Sequence, residues 1–195
     1  MLGQRDDAVR WELLFGDLEA QAEAVGVAER AGEVAERTRI EIGKLALIDR
    51  MSGALGSIVR LHCLGGGVVA GCLVRVHAEW VLVKDRSATE AIVATQSLAT
   101  VSGLPRLSAH RQAGVVESRL GLRHALRAVA RDRAAVDVFL TDWTSQRGTI
   151  DRVAADFIEV ATHSVGQLRR PADVRDVLAV PLRALSVVRR AELAP

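Results

Sequence analysis

Four arginines recur every four residues late in the chain: Arg119, Arg123, Arg127 and Arg131. On an α-helix each such step advances about 40°, so the four form a slowly winding ridge along one side. A row of guanidinium groups suits the phosphate oxygens of a nucleic acid, which they neutralise and hydrogen-bond. His124, Arg106 and Arg111 lie nearby, and residues 106–133 hold seven arginines against only two acids, Glu117 and Asp132. A second basic pair, Arg169 and Arg170, sits in the polar stretch THSVGQLRRPADVRD. The same spacing also describes an ordinary solvated helix face. No aromatic residues that would stack on bases are interleaved with the ridge.

Other reactive residue types lack the spacing their chemistry requires. Cys63 and Cys72 form no C-x-x-C or Cys/His cluster, so neither zinc nor a disulfide framework is expected, and they read as small core residues. His77, His110, His124 and His163 show no metal-ligand spacing. Gly65, Gly66 and Gly67 fall in a hairpin rather than before a helix, which argues against a phosphate loop. No G-x-S-x-G elbow raises a nucleophile. The expectation is a nonenzymatic binding protein with no catalytic residues, no metal site and no cofactor.

A different kind of contact is offered at the start of the chain. Trp11, Leu14, Phe15, Leu18, Ala22 and Val25 step by three and four and make one apolar helical stripe. Val27, Ala31, Val34 and Thr38 continue it with a shifted phase, while Glu and Arg fill the opposite face. Such a helix packs on the rest of the protein, or it docks a protein partner or a second copy through Trp11, Leu14, Phe15 and Leu18.

The elements that would position these residues follow from internal similarity. Gly71–Val83 lies over Gly148–Val160 at a constant offset of 77, glycine on glycine, Arg75 and Val76 on Arg152 and Val153, Trp80 on Phe157. Downstream the offset becomes 87, and Val93, Leu98 and Val101 fall on Val180, Leu185 and Val188. Each copy reads as five short strands: 59–63, 72–76, 80–83, 90–94 and 97–101, then 136–140, 149–153, 157–160, 177–180 and 183–188. A helical pattern precedes each, over 40–54 and over 117–131. The expected fold is α+β: an N-terminal helix or helical hairpin, then two tandem five-stranded small barrels, each entered by a helix. The divisions are 1–38 for the amphipathic segment, 39–103 for the first module, 104–116 for a linker and 117–190 for the second module, with an insertion at 161–176.

Helix followed by five strands, with the rhythm G-x-Ile/Leu-x-x-Val-x-x-Asp/Glu-aromatic-Ile/Val, resembles the Sm-like family within the SH3-like barrels. The opening WELLFGDLEAQ followed by two such modules also resembles an uncharacterised family of high-GC Gram-positive bacteria. The Sm-like resemblance implies RNA binding. The turns that contact RNA in that family are here replaced by His77-Ala78-Glu79 and Ala154-Ala155-Asp156, and by Ala94-Thr95-Gln96 and Pro181-Leu182-Arg183. Any nucleic-acid contact is therefore expected on the helices and the insertion. Assembly into rings, or pairing of the two modules with each other, is left open.

Composition sets the remaining bounds. Hydrophobic residues make up 49% of the 195, enough for a buried core, and net charge is only +2. Residues 1–56 carry seven basic against eleven acidic side chains, and the remainder nineteen against thirteen, so the basic character is downstream. No apolar run reaches the roughly 18–20 residues of a membrane span, and the first residues lack a signal-peptide pattern. A cytoplasmic protein without membrane contact is expected.

Overall fold

Alternation in Ile58–Cys63 (β1) is strict, with Val59, Leu61 and Cys63 buried and Ile58, Arg60 and His62 exposed. A half-buried strand has this period-two pattern. Val68–Val76 (β2) returns antiparallel to it. Next come Trp80–Lys84 (β3), Glu90–Ala94 (β4) and Leu98–Ser102 (β5). The later strands are Ala135–Leu140 (β6), Ser145–Val153 (β7), Phe157–Thr162 (β8), Asp176–Pro181 (β9) and Leu185–Arg190 (β10). Two helices accompany them, Leu47–Ser52 (α1) and Leu122–Asp132 (α2). The computed structural model describes residues 21, 23, 26, 32–34, 36–105, 121–162 and 176–191.

The expectation of two separate closed barrels is overturned by the strand pairing. All ten strands form one antiparallel sheet in the order β5-β1-β2-β3-β4-β10-β6-β7-β8-β9. β4 takes β10 as its neighbour, through Val93–Val187, Ile92–Val188 and Ala91–Arg189, and the sheet runs on from one half to the other. Pairing across this seam satisfies the β4 edge that closure was expected to remove.

The seam also explains a departure from alternation. In β4, Ala91, Ile92, Val93 and Ala94 are all buried, and in β3 only Lys84 is exposed. Val81, Val83, Ala91 and Val93 join a core with Met51, Leu61 and Leu73. Trp80, Ile92 and Ala94 join a second core with Leu126, Val138, Ile150 and Ile158. The seam strands therefore have an apolar environment on both faces. Val187 crosses in the other direction and is buried in the first core, with Phe139 and Trp143 packed against it.

Close contacts fix the halves locally. A Cβ at Gly67 would overlap the Trp143 indole, so the glycine hairpin is the seat for that ring. Trp143 has φ +67, unusual for a bulky residue, and stacks on Phe139 with centroids 4.9 Å apart. Hydrogen bonds from Thr144 to Asp142 shape this turn and hold the Asp142 carboxyl below the usual carboxylate range. Gly71 and Gly148 are each pressed against a backbone carbonyl, of Lys84 and of Ala161 respectively. Gln96 Nε2 donates to Leu182 O at 2.7 Å, and Ser97 Oγ to Ser186 O at 3.3 Å, adding polar stitches across the seam.

Several local expectations change as well. β2 begins at Val68 and β7 at Ser145, each four residues earlier than the expected 72 and 149. The helix expected over 40–54 is interrupted. Residues 36–43 are helical, 44–46 are not, and α1 starts afresh with the Asp49 carboxylate accepting from Ala46 N–H at 3.0 Å. The chain divides here into two units, Met1–Leu45 and Ala46–Pro195. Within the first, exposed pairs such as Arg37–Glu33 at 2.7 Å lace the helical surface.

Candidate anion-binding cleft

Ala, Leu and Arg dominate LRHALRAVARD, all strong helix formers. Leu122, Ala125 and Leu126 are buried, with Val129 and Ala130 packed beside them, which gives the three-and-four spacing of one helix face. That face lies on β7. Arg123, His124, Arg127 and Arg131 are exposed.

Both ends of α2 are fixed by residues that sequence inspection missed. Glu79, from the turn between β2 and β3, accepts the Leu122 backbone N–H on its Oε2 at 2.7 Å. The carboxylate satisfies an orphan donor and opposes the positive end of the helix dipole. It acts from 43 residues upstream, a distance over which no local sequence signal operates. Arg133 ends the helix in the left-handed conformation, φ +49, its N–H donating to Ala130 O at 3.2 Å.

Between α2 and β7 lies a cleft of about 590 Å³. His124, Arg127, Ala130 and Arg131 contribute from the helix, Arg133 from just beyond it, and Ile150, Asp151 and Val153 from β7. Three arginines and one aspartate thus line one concavity. β7 shifts register between Ile150 and Arg152, a bulge that carries Asp151 out of the regular ladder. The corresponding shift in β2, between Leu73 and Arg75, presents the apolar Val74 instead.

Of the arginine ridge, Arg127 and Arg131 line this cleft. Arg123 does not line it, and its Nη1 donates to Ala155 O at 3.4 Å. Arg119, Arg169 and Arg170 lie outside the described residues, as do Arg106, Arg111, His110 and His163. So do the apolar residues Trp11, Leu14, Phe15 and Leu18 proposed for a protein interface.

The cysteines have separate surroundings. Cys63 is buried in the first core, and burial pushes its thiol pKa up, away from thiolate reactivity. Cys72, expected in the core, is only half-buried on the opposite face, in register with Ile58 and Lys84. Among the described residues, no group of three or more His, Cys, Asp or Glu is placed to hold a metal ion. No helix among them is long and apolar enough to cross a membrane. Comparison with protein-family models, with curated proteins and with solved structures finds no match.

Proposed function

We propose that this chain is a nonenzymatic binding protein whose α2 face contacts the phosphates of a nucleic acid. The observation that carries this reading is the cleft itself, in which Arg127, Arg131 and Arg133 converge beside His124 against one acid. The spacing of the arginines supports it energetically. Like charges at i and i+4 destabilise a helix by roughly 0.2–0.5 kcal/mol per pair, so Arg123, Arg127 and Arg131 run against local stability. Violations of this kind concentrate at functional surfaces. The Sm-like rhythm supports the same class of partner through its pattern, though not through the turns that contact RNA in that family. The reading puts the protein in the cytoplasm, where Cys63 and Cys72 would stay reduced.

Fluorescence polarisation with labelled single-stranded RNA and duplex DNA tests the proposal. Three neutralised phosphates imply that affinity falls roughly 20- to 40-fold between about 50 and 200 mM salt. Absent or salt-insensitive binding, unchanged in an Arg127→Ala/Arg131→Ala variant, overturns it.

A second reading assigns a protein partner to the N-terminal helical segment, on which Val34 is exposed. Removal of residues 1–38 should then change mass by light scattering or partner recovery in pull-downs. If neither changes, that reading fails.

A further inference from the structure

Residues in register on antiparallel strands share a face, which fixes the make-up of the side of β1–β3 turned away from the first core. Ile58 stands opposite Cys72 and Cys72 opposite Lys84, Arg60 opposite Ala70, and Arg75 opposite Leu82. Arg60, Ala70, Arg75 and Lys84 are exposed, and so are Val68 and Ile58, the latter to 70%. Among the described residues, Arg60, Arg75 and Lys84 make no ion pair or hydrogen bond through their side chains, and Glu90, opposite Lys84, is the acid at the margin. The equivalent face of the second half is neutralised. Its residues 77 positions later are Asp137 for Arg60, Arg147 for Ala70, Arg152 for Arg75 and Glu159 for Leu82. Arg147 Nε lies 2.6 Å from Asp137 and Arg152 Nε 3.6 Å from Glu159, so both arginines have a carboxylate. Where the later half places two acids, the earlier half places an arginine and a leucine.

Three uncompensated cations repel one another, and Ile58 and Val68 hold aliphatic surface in water. A nucleic acid backbone relieves the first cost but leaves the aliphatic side chains wet. The boundary of an anionic bilayer relieves both, with headgroup charge for the cations and the upper acyl region for the apolar groups. We propose that the outer face of β1–β3 docks on an anionic lipid surface. Arg60, Arg75 and Lys84 sit among the headgroups, and Ile58 and Val68 enter the boundary beneath them. Docking of this kind is peripheral and needs no spanning segment. It goes beyond the nucleic-acid reading of α2 and uses none of its residues.

The experiment floats the full chain with phosphatidylcholine vesicles, with and without phosphatidylserine. Binding should require phosphatidylserine and weaken as salt rises. Each cation near such a surface contributes about fivefold, so Arg60→Gln/Lys84→Gln should weaken partition roughly 25-fold. Arg60→Asp/Ala70→Arg transplants the ion pair of the second half, and it should keep the circular dichroism spectrum while weakening partition about fivefold. Arg127→Ala/Arg131→Ala should float as the parent does. Failure to float with anionic vesicles overturns the proposal, as does flotation that the substitutions at Arg60, Ala70 and Lys84 leave unchanged. Loss of flotation in Arg127→Ala/Arg131→Ala would move lipid contact to α2 and overturn it too. If Arg60→Gln/Lys84→Gln spares vesicle binding but weakens duplex DNA binding in polarisation, the face belongs to a nucleic acid and the lipid proposal fails. The reading of α2 stands or falls separately, on its own double variant.

Discussion

At the β4–β10 seam the sheet continues from one half into the other, whereas at β5 and β9, among the described residues, it stops. The strand order is the same in both halves, so backbone pattern does not explain the difference. Side chains do. On one side of the seam stand Trp80, Leu82, Ile92 and Ala94, covered by the second core. The positions 77 or 87 residues later, at the outer edge, hold Phe157, Glu159, Ala179 and Pro181. On the other side of the seam Phe139 and Val187 cover the first core, and their earlier counterparts are His62 and Thr100, both exposed. Apolar residues stand where the sheet is joined, and charge, proline and hydroxyl stand where it ends. Natural sheets protect their edges by these same means.

Breaking the seam should have the largest effect. Val187→Asp would bury a carboxylate in apolar surroundings and cost roughly 3 kcal/mol or more in urea unfolding. Thr100→Asp, its edge counterpart, should stay within about 0.5 kcal/mol. Equal costs at the two positions would refute the contrast.

Next in size come the two glycines that meet a backbone carbonyl. Gly71→Ala and Gly148→Ala should each cost about 1–3 kcal/mol by the same assay, because neither carbonyl can move without disturbing a ladder. A neutral result at only one site would show that the two halves are packed by different rules.

The turns before β3 and β8 offer a finer contrast. Both accept a backbone hydrogen bond from the later 3₁₀ turn, at Glu79 O from Thr95 and at Asp156 O from Leu182. Only Glu79 also reaches a helix with its side chain. Glu79→Ala should therefore cost about 1 kcal/mol, a typical loss of a helix cap, and Asp156→Ala almost nothing. Smaller still is the expected gain from removing edge protection. Glu159→Leu with Pro181→Ala should leave the fold unchanged and increase concentration-dependent association by light scattering relative to the parent. An unaltered mass would mean that these residues do not protect the edge.

How far the sequence discloses this arrangement varies by element. β1 is legible because one face is buried and one exposed, and the Gly71–Val83 block because its glycine and branched residues repeat 77 residues later. β3 and β4 mislead, since strands buried on both faces lose the alternation that would identify a shared wall. Periodicity reveals which residues face inward but not which strand lies alongside, so closure of each half and pairing between halves look identical from Ala91–Ala94 alone. At the cleft, Arg127 and Arg131 are visible from their spacing. Arg133 and Asp151 are not, because one is brought in by a left-handed helix end and the other by a bulge. Glu79 reaches α2 only through the tertiary fold.

The central functional claim is that α2 neutralises nucleic-acid phosphates, and the slope of log affinity against log salt counts them directly. For duplex DNA the slope should be about −3, and Arg127→Ala/Arg131→Ala should reduce its magnitude by roughly two. A slope near zero, or one that the double variant leaves unchanged, would contradict the account.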